Sequence, residues 1–177
     1  MHGKYEIKGK LRVLICFLAV FFAAMCQMSV FPYLKFFGCI PDITAAAVIC
    51  LAAYENEKTV CILSVCAGFL LQSLGMEGVS YYPLLFLFAA ALCLFFTRDL
   101  FHNRFVAVLC TAFCVYTIES IASVIILSGK ASYADIFTAV VLPQFVYSFV
   151  CTLAVYPLCK LHGAVFGIKR KSDYYEE

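Results

Sequence analysis

The length, composition and charge of the chain exclude a water-soluble globular domain. Its 177 residues are 64% hydrophobic and 14% charged, with a net charge of +2 and a mean hydropathy of +0.96. Soluble domains contain about 45–50% apolar and about 25% charged residues. A folded chain of this composition would expose too much apolar surface to water, whereas lipid tails solvate such a surface. The apolar runs lack the strict polar alternation of β-barrel strands, so we predict an all-α integral membrane protein.

Six apolar segments predict a bundle of about six transmembrane helices. A spanning helix needs about 20 consecutive apolar residues, within a range of about 17 to 25. The predicted spans are residues 11–31, 36–54, 59–74, 79–96, 105–127 and 136–158. Since these spans and their short loops occupy nearly the whole sequence, we predict a single polytopic domain, residues 1–177, without a separate soluble catalytic domain.

The first apolar segment, residues 11–31, follows a basic stretch and is longer than the hydrophobic part of a secretory signal peptide. No small-residue cleavage pattern follows it, so we expect it to be retained as the first span. Pro32 ends the segment because proline lacks the N–H that continues a helix. Ala19 and Ala23 lie one helical turn apart, and small residues at this spacing let helices approach closely in lipid. We therefore predict helix packing through Ala19 and Ala23.

The second segment, residues 36–54, contains a break at Pro41 and Asp42. The apolar part after the break holds only about 12 residues, or roughly 18 Å of helix, and it spans a bilayer only if residues 36–40 are included. Two roles are open for Asp42. Its carboxylate can cap the N-terminus of the helix by accepting hydrogen bonds from free backbone N–H groups, or it can contact a partner protein.

The distribution of Lys and Arg residues tests the number of spans. With six spans and a cytoplasmic N-terminus, Lys35 and Lys130 lie on the outer side and every other Lys and Arg lies inside. If the second segment did not span, most of the basic residues would move to the outer side. Since cytoplasmic loops are enriched in Lys and Arg, we predict six spans with both termini in the cytoplasm. By the same rule, the basic residues at the two ends of the chain are membrane anchors. We therefore expect no binding to nucleic acid.

Small and polar residues in the third span, residues 59–74, mark contacts with other helices. Gly68 has no side chain, so it predicts close packing against a neighbouring helix. Gln72 lies near the outer end of the span, where we expect either interhelical hydrogen bonds or contact with a partner. The fourth span follows, with Tyr81 and Tyr82 as anchors at the membrane interface.

Glu119 is the most unusual residue of the sequence because it lies inside the fifth span, residues 105–127. A charge in the hydrocarbon region is strongly unfavourable, so ionisable residues there are functional candidates by default. Glu119 is either a neutral acid that bonds between helices or a group that recognises a ligand or partner. Gln144 in the sixth span, residues 136–158, is a candidate for its hydrogen-bond partner.

Residues that commonly carry catalysis or bind metals form no recognisable motif in the sequence. The histidines at His2, His102 and His162 fall in predicted cytoplasmic segments and accompany no nucleophile, GxSxG or HExxH pattern. Glu55 and Glu57 lie in a polar turn, where we interpret both as solvated. Most of the 11 cysteines lie inside apolar runs, where cysteine acts as a small hydrophobic residue. We therefore expect no catalytic residues, no metal and no cofactor.

Between residues 31 and 91, a proline–aspartate pair opens the second predicted helix, and glycines recur along the third helix and its turn. The pair is Pro41 and Asp42, and the glycines are Gly68, Gly75 and Gly78. This arrangement resembles the rod shape-determining protein MreD family. Its members typically have such a pair at the start of the second helix and a glycine-rich third helix that ends in a turn of small residues. The length and the number of spans also agree with the family along the whole chain.

The resemblance implies a non-enzymatic scaffold of bacterial cell-wall elongation and rod-shape maintenance, located in the inner (plasma) membrane. MreD-like proteins work with the single-span protein MreC, the actin-like filament protein MreB and peptidoglycan synthases. An MreC-like protein, an MreB-like filament, these synthases and the lipid bilayer are therefore the implied partners. Asp42, Glu119 and the small faces of the first and third helices are the candidate contacts.

Two other functions compete with the scaffold. The chain resembles the substrate-binding subunits of energy-coupling factor vitamin transporters in size and six-helix layout, and Ala19 with Ala23 fits the small face through which those subunits dock. Few polar groups are available for a vitamin pocket, which weighs against this alternative. A membrane-embedded enzyme is the third reading, and the sequence offers no convergent set of catalytic groups for it.

Overall fold

The computed structural model describes residues 2–34, 39–74, 81–127 and 133–166. These residues form helices joined by turns and loops, and no sheet strand occurs among them, so the predicted all-α class is confirmed for this part of the chain. The helices are α1 (His2–Ser29), α2 (Ile43–Ala52), α3 (Glu57–Ser73), α4 (Tyr82–Phe95), α5 (Arg104–Leu127), α6 (Tyr133–Ile136) and α7 (Leu142–Val165). A π-helical turn, Phe96–Leu100, extends α4, and another, Phe137–Val141, joins α6 to α7.

Four of the described helical stretches are long and apolar enough to cross a membrane. They are Gly9–Ser29, Tyr82–Leu100, Arg104–Ile126 and Phe137–Val165. Many of their large apolar side chains point outward, as a lipid-facing surface requires. Four of the six predicted spans therefore have a helix suited to crossing a bilayer, and the last of these helices continues to Val165 instead of ending near residue 158.

The second predicted span corresponds to a much shorter helix. α2 has ten residues, about 15 Å of helix, and nine of the ten are buried. Residues 36–38 of the predicted span lie outside the described residues. α2 packs against α1, α3, α4, α5 and α7, and its small and apolar side chains offer no polar face to turn outward. It is therefore the central helix of the bundle, enclosed by the longer ones.

Charged and aromatic contacts bring the first half of α1, the end of α2 and the end of α7 together. Arg12 lies beside Glu55, which follows α2, and Glu55 in turn contacts His162 of α7. The guanidinium of Arg104, at the start of α5, lies 5.1 Å from the centre of the Tyr54 ring. We call this the basic end of the bundle; it contains Arg12, Arg98 and Arg104. Successive long helices therefore run in alternating directions.

Gly68 and the packed face of α1 show how the helices approach one another. A Cβ on Gly68 would lie 2.5 Å from the backbone nitrogen of Pro83, so α3 and α4 touch backbone to backbone here, in line with the predicted close packing.

α1 packs differently from the prediction, because Ala19 is exposed and Ala23 is half-buried. The buried residues of α1 are Cys16, Val20, Ala24 and Gln27. This face is one residue away from the predicted one, and it places the polar Gln27 where it has buried partners.

Candidate functional site

A polar network surrounds the N-terminus of α2 in the interior of the bundle. Asp42 is 2% exposed, and its Oδ1 accepts a hydrogen bond of 2.8 Å from the backbone N–H of Ala45. This is the predicted N-cap bond, which satisfies one of the free N–H groups at a helix start. The backbone N–H of Asp42 donates to Ser148 Oγ of α7 at 3.0 Å. Asp42 thus ties the beginning of the central helix to α7.

Gln27 of α1 supplies the second link to α2. Its Oε1 accepts hydrogen bonds from the backbone N–H of Thr44 at 2.9 Å and from Thr44 Oγ1 at 2.7 Å. Both residues are buried, at 1% and 0% exposure, so these bonds form away from solvent and lipid. The pair satisfies another free N–H group of the helix start.

Hydroxyl groups of α5 and α7 complete the network. The hydroxyls of Tyr116 and Thr152 lie 2.8 Å apart, and the Tyr116 hydroxyl also donates to the backbone carbonyl of Asp42 at 3.5 Å. We call the whole group the Asp42 network; its members are Gln27, Asp42, Thr44, Tyr116, Ser148 and Thr152. It connects the start of α2 with three of the long helices.

One atom of the Asp42 network is poorly satisfied. Asp42 Oδ2 is buried and makes no hydrogen bond of good geometry, although the side chain of Gln27 lies close enough to interact with the carboxyl group. A buried carboxylate oxygen without a full set of partners is unfavourable. Asp42 is therefore held in place by the bonds around it, while its Oδ2 has fewer partners than a buried carboxylate oxygen needs.

Glu119 and Gln144 lie next to this network, around a small cavity. Glu119 is 6% exposed, and the cavity has a volume of about 10 Å³. Its walls are formed by Tyr116, Glu119, Ser120, Ser123, Val141, Gln144, Phe145 and Ser148. The carboxyl groups of Glu119 and Asp42 are near enough to interact electrostatically. The structure thus brings together three of the residues that the sequence predicts as candidates. The cavity has room for about one water molecule and is far smaller than a ligand pocket, which measures about 300 Å³ or more.

Gln72 does not belong to this arrangement. It is exposed in the last turn of α3 and is absent from the walls of the cavity. α3 ends at Ser73 with this face turned outward, so Gln72 is not among the buried polar groups of the bundle. Its role in partner binding stays a prediction.

A second polar cluster lies at the basic end of the bundle. The side chain of Glu55 is fully enclosed, and its Oε2 lies 2.7 Å from Arg12 Nη2. Its Oε1 lies 3.2 Å from His162 Nε2 and 3.5 Å from Cys16 Sγ, and Cys16 Sγ lies 3.4 Å from His162 Nε2. We call Arg12, Cys16, Glu55 and His162 the Glu55 cluster. It joins α1, the end of α2 and α7.

The sequence-based interpretation of Glu55 as a solvated residue is wrong, and the side chain of His162 beside it is also largely enclosed. Gly163 lets α7 approach so closely that a Cβ there would lie 2.7 Å from Cδ1 of the Tyr54 ring, and this approach encloses Glu55. Glu57, two residues later, is exposed and pairs with the exposed Arg98, so the interpretation holds for Glu57. The residues near Glu55 in the sequence do not show that Glu55 is buried while Glu57 is exposed. The partners that enclose Glu55 are Arg12 and His162, and both lie far from it along the chain.

The chemistry of the Glu55 cluster is that of a ligand set rather than a catalytic triad. In a triad, the carboxylate orients one ring nitrogen of histidine while the other nitrogen faces the nucleophile. Here both Cys16 and Glu55 contact the same nitrogen, Nε2 of His162. A thiol, a carboxylate and an imidazole therefore converge on one point, with all three donor atoms within 4.8 Å of one another.

No family model matches the chain, and no curated protein and no solved structure shows significant similarity to it. Since no match indicates a family, the class of the protein follows only from its helices and their packing. Within its described residues the protein is all-helical, with four helices suited to cross a membrane, a short central helix, and two internal polar clusters at different depths of the bundle.

Proposed function

We propose that this protein is a non-enzymatic, multi-pass scaffold of the bacterial inner membrane that acts in cell-wall elongation and rod-shape maintenance. Its partners in this proposal are an MreC-like single-span protein, an MreB-like filament and peptidoglycan synthases. The proposal starts from the resemblance to the MreD family. The observation that carries it is an apolar groove on the outside of the bundle, between the first and third helices.

The groove lies on the lipid-facing side of α1 and α3 and has a volume of about 230 Å³. Its walls are formed by Phe17, Leu18, Val20, Phe21, Leu63, Cys66, Ala67 and Leu70. Leu18 and Phe21 are 57% and 46% exposed, so one side of the groove is open. In lipid, helices associate mainly by close packing of such surfaces. A single apolar helix of an MreC-like partner suits this groove in shape and chemistry.

The proposed topology has six membrane crossings, with both termini in the cytoplasm. The basic end collects Arg12, Arg98 and Arg104, and the positive-inside rule places such an end at the cytoplasmic surface. The first half of α1 and the end of α7 meet there. α2, together with the residues that precede Asp42, would form the second crossing. Reporter fusions at the two termini test this arrangement, which requires both reporters on the cytoplasmic side.

Asp42 and Glu119 have an internal role in this proposal. Both are buried, at 2% and 6% exposure, so a partner helix that docks on the surface does not touch them. Their part is to hold α2 in the centre of the bundle and so to keep the outer helices in position. This differs from the direct contact that the resemblance implies.

The decisive experiment fills the groove without changing its polarity. Cys66→Trp places a large apolar side chain at an exposed groove position, whereas Leu84→Trp places the same side chain at a 72% exposed position of α4 outside the groove. We expect Cys66→Trp to lose most of the co-purifying MreC-like protein and to round the cells, and Leu84→Trp to behave as the unmodified protein. Equal co-purification with both variants would refute the groove assignment, and normal rod shape after depletion of the protein would refute the scaffold itself.

The substrate-binding subunit of a vitamin transporter is the second candidate, and the cavity beside Glu119 is the observation in its favour. The cavity is internal and carries Ser120, Ser123 and Gln144 as polar walls. A transporter subunit should co-purify with a vitamin and with ATPase subunits, and Glu119→Gln should weaken vitamin binding. Purification without either companion would exclude this candidate.

A further inference from the structure

We propose that the Glu55 cluster is a metal site, in which Cys16 Sγ, Glu55 Oε1 and His162 Nε2 bind one divalent ion of the zinc type. The scaffold function does not require such a site, so the two proposals stand or fall separately. The distances between the three donor atoms, their chemistry and their enclosure all suit such an ion.

The distances between the three donor atoms fit a tetrahedral site. Zinc bonds of about 2.3 Å to sulfur and about 2.0–2.1 Å to nitrogen and oxygen place pairs of ligand atoms about 3.3–3.6 Å apart. The observed separations are 3.4 Å between Cys16 Sγ and His162 Nε2, 3.5 Å between Cys16 Sγ and Glu55 Oε1, and 3.2 Å between His162 Nε2 and Glu55 Oε1. A single ion can therefore touch all three atoms with little movement of the side chains.

The donor types also select the ion. Thiolate, imidazole and carboxylate are the three side-chain ligands that zinc prefers in proteins. Binding requires that Cys16 loses its S–H proton to solvent and that His162 carries its ring proton on Nδ1, which leaves Nε2 free to bond the metal. The thiolate and the carboxylate then supply two negative charges for a divalent ion. Three protein ligands leave a fourth tetrahedral position for water.

The surroundings hold the ligands in place. Cys16 is fully buried and Glu55 is 6% exposed, whereas the side chain of His162 keeps 12% of its surface exposed, which provides a path for the ion. Arg12 contacts Oε2 of Glu55, so the carboxyl group is oriented with Oε1 towards Cys16 and His162. The ring of His162 packs on that of Phe166, with 4.8 Å between the ring centres. Neighbouring groups that orient ligands in this way are typical of metal sites.

Cobalt and zinc titrations of the full-length protein in detergent test the site, after treatment with a chelator. Co²⁺ should give the visible bands of tetrahedral coordination and a sulfur-to-cobalt charge-transfer band, with one ion per chain, and Zn²⁺ should abolish both. Cys16→Ser should remove the charge-transfer band, and Glu55→Gln and His162→Gln should weaken binding by more than about tenfold. The matched controls are Cys66→Ser and Glu57→Gln, exposed residues outside the cluster, which should bind as the unmodified protein does. A charge-transfer band that survives in Cys16→Ser, or no band in the unmodified protein, would overturn the proposal.

A second measurement needs no variant and is therefore independent of any folding defect. In a mildly denaturing detergent that uncovers the buried Cys16 thiol, Zn²⁺ should slow the alkylation of Cys16, while the exposed Cys66 reacts at the same rate with and without the ion; mass spectrometry of peptides locates the modified thiols. Equal alkylation of Cys16 in both conditions would show that the cluster is only a hydrogen-bonded ion pair and would overturn the metal assignment.

Discussion

Replacement of Gly68 by alanine tests the backbone contact between α3 and α4. The added Cβ would lie 2.5 Å from the backbone nitrogen of Pro83 and 2.9 Å from the carbonyl carbon of Tyr82, and closer still to Pro83 Cα. All of these are backbone atoms, so a change of side-chain rotamer cannot relieve the clash. α4 must move away from α3 as a unit, and the contacts on either side of Gly68 weaken with it.

The expected loss of stability follows from two opposing effects. Non-bonded carbon atoms prefer a separation of about 3.5–4.0 Å, so the helices must separate by roughly 1 Å. Overpacking of this kind typically costs about 1–3 kcal/mol, and a backbone obstruction puts Gly68→Ala at the upper end of that range. Alanine is favoured over glycine inside a helix by about 1 kcal/mol, which offsets part of the cost. We therefore expect a net decrease of about 2 kcal/mol in the free energy of unfolding.

Two other glycines provide matched controls for the same substitution. A Cβ on Gly9 meets nothing within 4 Å, so Gly9→Ala should be neutral or stabilising by up to about 1 kcal/mol. Gly163→Ala should fall between the two, because its obstruction is the Tyr54 ring, a side chain that can turn. Unfolding by a denaturing detergent, followed by circular dichroism, measures all three variants. If Gly68→Ala is as stable as Gly9→Ala, the backbone contact between α3 and α4 does not exist.

Arg12→Ala should lower the free energy of unfolding by about 3–5 kcal/mol because it leaves the enclosed Glu55 carboxylate without its charged partner. Arg98→Ala removes an exposed ion pair and should cost less than about 1 kcal/mol, so equal losses in the same unfolding assay would contradict the burial of Glu55. Gln27→Leu should destabilise the protein by about 2 kcal/mol, since the N–H and hydroxyl of Thr44 lose their acceptor. Amide hydrogen exchange at Thr44 should accelerate in this variant, and unchanged protection there would refute the link between α1 and α2.

Local patterns in the sequence predict the longer helices well. The predicted spans 79–96 and 105–127 coincide closely with Tyr82–Phe95 and Arg104–Leu127. A long apolar run between polar loops becomes a helix whatever surrounds it, because the backbone must satisfy its own hydrogen bonds in lipid. The cap formed by Asp42 is equally local, since it involves Ala45 only three residues away.

The candidate site was only partly visible in the sequence. Glu119 and Gln144 stand out as polar groups inside apolar spans, and the structure places both at one cavity. Gln27 carries the same signal, a polar residue inside the first span, and could have been found by the same argument. Its partner Thr44 could not, because nothing local in the sequence relates the two.

The sequence by itself determined that this is an apolar, all-helical chain and roughly where its long helices begin and end, because both properties depend on short-range patterns of side chains. Only the tertiary structure decided that α2 is a short, enclosed helix and that Arg12, Cys16, Glu55 and His162 meet at one point. Cys16 and His162 are separated by 146 positions in the chain, and Glu55 and His162 by 107. Contacts at such separations are set by how α1, α2 and α7 pack together, which no spacing rule along the chain encodes.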